Sequence, residues 1–359
     1  MSGLLNQGEK QNAQAEYFSL NAECKTLYKM KLTINEIAEM AHVAKSTVSK
    51  AINGQKGVSE ENRQRILEII EQVNFQPSAS ARALAQNKTG AIGIVLPHDA
   101  FFSLSGEYWA SVVSSIAAEA NKRNNSLMVI APQKDEKFKI ESLEIILKRH
   151  GVDGLIIGAE QIETETIMNV IKQDMPFVFI GKNPYFEHFA VDISNKASAM
   201  RVVNQLVQQG YKKIGCIAGP KEYDYTIERI NGFKESLEKA GLDSSRILTS
   251  NYNKEDILKN AAEFFEKNSD IDALFIAAGG DFVLNIMDVL RTNGRNLKTF
   301  GLGVFDDSRI FDFLEWPIVT AKQPIEAMGT AAADMLFNII DGTPPAEKLK
   351  TFDAEIIIR

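Results

Sequence analysis

Lys45, Ser46, Thr47, Ser49 and Lys50 fall within six residues, two cations interleaved with short hydroxyl side chains. This set suits a nucleic-acid surface: hydroxyls allow close approach to phosphates, and longer cations reach base edges or phosphate oxygens. Groups that would do enzyme chemistry are not so arranged. The four histidines, His42, His98, His150 and His188, make no HExxH or similar spacing, and no GxSxG occurs. Gly301-Leu302-Gly303 is a lone GxG inside a strand-like run, and Gly181-Lys182 lacks a glycine-rich phosphate loop before it. Cys24 and Cys216 are far apart, with no CxxC or histidine partner, so neither a metal site nor a disulfide framework is expected. The expectation is a protein that is not an enzyme and carries no cofactor and no metal.

Three short helices are needed to present the polar set. Thr33-Ile34-Asn35-Glu36 reads as a capping box, with Ile34, Ile37, Ala38 and Ala41 on one face of the helix it opens. After a break at His42-Val43-Ala44, a second helix is predicted over about 45–53, closed by Gly54. Ser59, followed by Glu60 and Glu61, opens a third, with Ile66, Ile69, Ile70 and Val73 at helical spacing. Two helices joined by a three-residue turn, the second with an exposed polar face, form a unit that a DNA major groove accepts.

From Gly90 the pattern becomes one of alternating strands and helices. The apolar runs 91–96, 126–130, 154–158 and 177–180 form one series, and 213–219, 272–277 and 298–305 a second, each separated by helix-length amphipathic stretches. Continuous apolar strands alternating with helices imply parallel sheets covered on both faces. The predicted fold class is therefore α/β, with a two-lobed body of two parallel doubly wound sheets preceded by a small all-α headpiece. The expected divisions are a disordered extension over 1–29, a headpiece over 30–76, a hinge and linker over 77–89, and a body over 90–359. Within the body, lobe 1 is placed at about 90–191 plus 320–340, and lobe 2 at about 192–318 plus the C-terminal segment.

Charge follows this division. Residues 31–88 hold 8 basic and 6 acidic residues, and residues 89–359 hold 29 and 38, a mildly basic head on an acidic body. The first 29 residues are polar and lack the apolar core of a signal peptide, and no run approaches the roughly 20 apolar residues of a membrane span. A reducing, cytoplasmic setting is the simpler reading.

The run over residues 32–85 closely resembles the headpiece of the lactose-repressor/galactose-repressor family of bacterial transcription regulators. The matching parts are T-x-x-x-I-A from Thr33, S-T-V-S-K-x-x-N from Ser46, V-S-x-x-x-R from Val58, and N-F-x-P from Asn74. The resemblance extends over about residues 31–359. It implies that Lys45, Ser46 and Lys50 read the major groove, and that Thr33, Thr47, Ser49 and Asn53 touch phosphates or support the reading helix. Where the family usually carries Gly-Val-Ser, this chain has His42-Val43-Ala44, so the reading helix loses a serine cap worth about 1 kcal/mol.

The segment 78–86 is alanine-rich and helix-prone, but its nine residues fall below the roughly 12–15 at which an isolated helix is marginally stable. The resemblance implies a hinge helix that forms on DNA, with Ser80, Arg82 and Leu84 at the minor groove and Leu84 wedged between base pairs.

For the body, the resemblance implies two lobes like periplasmic sugar-binding proteins, with an effector in the cleft between them. Open α/β sheets bind ligands beyond the carboxyl ends of their strands. The resemblance points there to Tyr108 and Trp109, Arg229, Tyr252 and Asp306, with Gly279-Gly280 standing where members usually carry Asn-Asp. For Tyr108 and Trp109, core packing competes with ligand stacking. The expected partners are a double-stranded operator, a small effector (a sugar, sugar phosphate or sugar acid) and a second copy, as a homodimer or tetramer. The rival readings are a DNA-binding regulator controlled by a protein partner and a free-standing sugar-binding protein.

Overall fold

The computed structural model describes residues 33–52, 54–73, 75, 88–97, 100–131, 151–159, 164–183, 186–279, 281–296 and 298–359. The chain divides into two units, residues 1–87 and 88–359. Among the described residues, no helix is long and apolar enough to cross a membrane.

In the first unit, α1 (Ile34–Met40), α2 (Lys45–Ile52) and α3 (Glu60–Gln72) are helices. The Thr33 hydroxyl accepts from the Glu36 backbone N–H, and the Glu36 carboxylate accepts from the Thr33 N–H at 2.6 Å, which completes the capping box. Ser59 caps α3 through the Asn62 N–H. The core consists of Ile37, Ala38, Ala41, Val48, Ala51 and Ile66. Three alanines among six positions let the helix axes approach closely, which a unit this small needs to exclude water.

Between α1 and α2, His42 has φ +53°. This left-handed conformation strains any residue with a Cβ, which accounts for a preference for glycine here. His42→Gly is expected to stabilise this unit by about 0.5–1 kcal/mol. The measurement is amide hydrogen exchange at Val48 and Ile66, which should slow by about two- to fivefold; unchanged or faster exchange would contradict it.

The second unit holds two six-stranded sheets. The first has order β11-β5-β4-β3-β1-β2, from β1 (Ala91–Val95), β2 (Ser126–Ile130), β3 (Leu155–Gly158), β4 (Phe177–Ile180), β5 (Ala190–Ile193) and β11 (Leu349–Phe352), all parallel. The second has order β12-β10-β9-β8-β6-β7, from β6 (Ile214–Ala218), β7 (Ile247–Thr249), β8 (Ala273–Ile276), β9 (Gly301–Phe305), β10 (Ile318–Lys322) and β12 (Glu355–Ile358). Among the described strands only β12 runs antiparallel, against β10. Helices cover the sheets: α4 (Ala100–Ser105), α5 (Glu107–Lys122), α6 (Thr164–Lys172) and, from later in the chain, α11 (Ile325–Ile340) belong with the first. α7 (Asn195–Gln208), α8 (Asp224–Lys239), α9 (Lys254–Lys267) and α10 (Asp281–Thr292) belong with the second.

The chain passes between the sheets three times, at Ser194, at Gln323-Pro324 and at Asp353-Ala354. Because β10 pairs within the second sheet, the second crossing follows Lys322 and not a point near 318–320. All three crossings lie at carboxyl ends of strands. In both sheets the strand order reverses beside the first strand of its series, β1 and β6, which opens a crevice at those same ends.

The strands that periodicity did not reveal are β5, β7, β10, β11 and β12. β7 has three residues, β11 is mostly exposed, and Asp192 interrupts the apolar run of β5.

Candidate functional site

In the first unit, Lys45, Ser46 and Lys50 are exposed, Thr47 and Ser49 half-buried, and Val48 and Ala51 buried. The i, i+4 spacing of Ser46 and Lys50 puts both on the face opposite the core. The Arg63 guanidinium donates to the Ala51 carbonyl at 3.1 Å and the Gln55 carbonyl at 2.7 Å. It thereby satisfies acceptors at the end of α2 and ties that helix to α3. Sequence reasoning gave Arg63 no such role. Thr33 stands exposed at the head of α1, and its bonds hold the Glu36 carboxyl below the usual carboxylate range. Asn53, Ser80, Arg82, Leu84 and the expected hinge helix lie outside the described residues.

In the second unit, Arg229 on α8 is only 7% exposed. Its Nε donates to Asn195 Oδ1 at 2.8 Å and its Nη1 to the Ala277 carbonyl at 2.9 Å. The Phe305 ring lies 3.5 Å from its Cζ and the Tyr225 ring 4.7 Å. This arginine is thus held between rings by neutral acceptors, at the point where the chain enters α7 from the first sheet. Asn195 also donates to Asp192 Oδ1 at 3.4 Å. Lys182, following β4, meets Glu228 at 2.9 Å and Asp192 at 3.6 Å. Burial opposes the charge of Lys182, but Glu228 and Asp192 outweigh it and hold its pKa above the ordinary lysine value. Burial pushes the Asp192 carboxyl up to about 6, against the opposing pull of the Ile193 N–H and Lys182.

Tyr252 belongs to a cluster of three tyrosines. Its ring stacks with Tyr223 at 6.3 Å and 15°, its hydroxyl bonds the Tyr225 hydroxyl, and Tyr223 and Tyr225 lie 5.6 Å apart. Gly219, at the end of β6, permits this: a Cβ there would sit 2.8 Å from the Tyr252 hydroxyl oxygen. Asp306, just past β9, has φ +80° and accepts from the Gln323 side-chain amide at the second crossing. Gly279 has φ +102°, and a Cβ on it would lie 3.1 Å from an Asp306 carboxylate oxygen. The fold therefore gathers Arg229, Tyr252, Gly279 and Asp306 at the carboxyl ends of the second sheet.

Tyr108 and Trp109, at the start of α5, belong to the first lobe. Trp109 is 7% exposed and packs against Gly158, within the core, while Tyr108 meets it edge-on at 5.3 Å and is half-buried. The neighbouring Glu107 accepts from Ser308 Oγ at 3.1 Å, a bond between the lobes that joins the one from Lys182 to Glu228. Sequence reasoning missed Lys182, Asp192, Asn195, Tyr223, Tyr225 and Glu228. The signal for some of them was there, in Asp192, a lone polar residue within an otherwise apolar strand, and Asn195, which opens the helix just after it.

Comparison with known proteins gives two family matches. Residues 33–78 match the bacterial regulatory proteins of the lacI family, and residues 89–358 match the periplasmic binding proteins and sugar binding domain of the LacI family. The transcriptional regulator CelR of Thermobifida fusca is 24% identical over 333 residues, covering 91% of this chain and 97% of CelR. Two solved structures are similar in fold. A CelR–cellobiose complex has TM-score 0.69 and 23% identity over 91% of this chain and 99% of that one. A lac repressor dimer bound to operator and an anti-inducer has TM-score 0.76 and 18% identity over 91% and 97%.

Proposed function

The chain belongs to the LacI family of bacterial regulatory proteins, and from that premise we propose that a small carbohydrate in the interlobe cleft sets the affinity of its headpiece for DNA. The protein is a DNA-binding transcription regulator and not an enzyme. Residues 30–76 serve as the headpiece, 77–89 as the hinge, and 90–359 as the effector-binding and dimerising body. It acts in the cytoplasm, most simply as a repressor. A homodimer on a two-fold symmetric operator suits the reading, because one short helix contacts too few base pairs for selectivity.

The observation that carries the effector reading is the seat of Arg229. A buried guanidinium bonded to Asn195 and the Ala277 carbonyl sits where the chain first crosses between lobes. Ligand contact there bears on lobe closure, and a ligand shifts a two-state protein only through its differential affinity for the two states. The test is fluorescence anisotropy of the full chain on its selected operator, with a panel of mono- and disaccharides. At least one should change operator affinity fivefold or more; an operator-bound protein indifferent to all of them would overturn the effector reading.

Recognition by α2 makes its own prediction. Lys50→Ala is expected to weaken operator binding about tenfold or more and to alter base preference, whereas exposed Lys348→Ala should do neither. Affinity should also fall steeply with salt as counterions are released. Equal effects of the two substitutions in a gel-shift series would remove α2 from the reading role.

A further inference from the structure

We infer that the cleft accepts uncharged, hydroxyl-rich carbohydrate and turns away anionic sugars, with Asp224 and Glu228 of α8 setting that preference. The inference rests on the carbohydrate reading above and narrows its ligand class.

Among the described residues two cations face the seat, Lys182 and Arg229, and neither is available to an anion without loss. Lys182 is already bridged to Glu228 at 2.9 Å and to Asp192 at 3.6 Å. Arg229 has two of its three nitrogens on the neutral acceptors Asn195 and Ala277. Around them stand three carboxylates, Asp192, Asp224 and Glu228, so the group is net negative before any ligand arrives. Asp224 and Glu228 are one helical turn apart on α8, and burial first, then Glu228, lifts the Asp224 carboxyl above the usual range. Asp306 adds another carboxylate at the end of β9.

The start of α8 would otherwise attract an anion, because its cap, Tyr223, makes no side-chain hydrogen bond to the first turn. Asp224 in that turn already supplies the negative charge that the helix dipole favours. A phosphate or carboxylate entering here would meet like charge, and would have to break the Lys182 bridges to gain that cation. A hydroxyl meets no such obstacle, since it donates to a carboxylate and accepts from a guanidinium. The rings of Tyr223, Tyr225 and Tyr252 offer a flat apolar surface alongside, suited to one face of a sugar ring.

The experiment is isothermal titration of the full chain with matched probes: glucose against glucuronate and glucose 6-phosphate, galactose against galacturonate and galactose 1-phosphate, and maltose and cellobiose against their aldonate forms. For any neutral probe that binds, its charged counterpart should bind at least tenfold more weakly. In Asp224→Asn/Glu228→Gln that ratio should shrink by about tenfold. Asp224→Asn alone, which leaves the Lys182 bridges in place, should move the ratio in the same direction by a smaller factor, and circular dichroism would establish that both variants are folded. A charged probe that binds as tightly as its neutral partner, or a ratio unchanged in both folded variants, overturns the charge preference while leaving the carbohydrate reading intact. Absence of binding by every probe, with operator binding retained, overturns the carbohydrate reading and the preference with it.

Discussion

Arg229→Ala is expected to flatten the effector response: a carbohydrate that shifts wild-type operator affinity fivefold or more should shift the variant less than twofold. The side chain reaches three elements at once. It bonds Asn195 at the head of α7 and the carbonyl of Ala277 beyond β8, and it lies 3.5 Å from the Phe305 ring beside Asp306. Truncation leaves the Asn195 oxygen and the Ala277 carbonyl without that donor in a buried seat, at about 1–3 kcal/mol for each group left unsatisfied. The loss of the ring contact adds about 0.5–2 kcal/mol on the usual scale of cation–π interactions, for about 2–5 kcal/mol in all once water relieves part of the unsatisfied polarity. The variant should therefore melt earlier as well as respond less. Arg229→Lys separates charge from geometry, because an ammonium keeps the charge but cannot serve both acceptors with a planar fork. It should recover part of the stability and little of the response. The measurement is operator anisotropy titrated with the active sugar, beside thermal melting followed by circular dichroism. A response in Arg229→Ala with the wild-type midpoint and amplitude would remove this arginine from the ligand site.

The second large effect is expected at Gly232, a turn beyond Arg229 on α8. A Cβ there would lie 2.4 Å from the Lys196 carbonyl oxygen, 3.0 Å from Ala199 Cβ and 3.2 Å from the Met200 backbone nitrogen. The first and third of these are backbone atoms of α7, so no rotamer change relieves the contact and the two helices must separate. Overpacking of this kind costs about 1–3 kcal/mol, and more when backbone must move. Gly232→Ala is thus expected to destabilise the body by about 2–4 kcal/mol in urea-induced unfolding. Ala199→Gly should not rescue it, because the carbonyl contact remains. Since α8 also carries Tyr225, Glu228 and Arg229 while α7 carries Asn195, the same separation should weaken ligand binding in the fraction that stays folded. An unfolding midpoint within error of wild type would show that the α7–α8 contact is looser than these distances require.

Much of the architecture was legible because it rests on local physics. The capping box at Thr33 and Glu36 is closed within four residues, and the apolar strands 91–95, 177–180 and 273–276 announce burial on both faces by composition alone. Strands whose stability comes from a neighbour left no such mark. β11 is largely exposed and β12 pairs antiparallel with β10, so both exist only because a sheet edge was there to receive them. The interruption at residue 192 hid β5 for a related reason: its carboxylate is tolerated in the core only through Lys182 and Asn195, which come from other parts of the chain.

The site divides along the same line. The residue types at 45–50 and the family motifs around them were enough to predict a helix with an exposed polar face, since a short helix presents that face by periodicity alone. Arg229, Tyr252 and Asp306 were marked in the sequence by resemblance to relatives, but what each one touches was not. The tertiary structure decided that Arg229 is buried between rings, that Tyr252 stands in a cluster with Tyr223 and Tyr225, that Trp109 packs under Gly158, and that two carboxylates, Asp192 and Glu228, meet Lys182. Such facts depend on which residues two sheets and three crossings bring within a few ångströms of each other. Contact across tens or hundreds of residues leaves no periodic trace in the chain, because it is fixed by packing and chain closure, whereas a cap, a helical face or a buried strand is written in spacings of two to four residues.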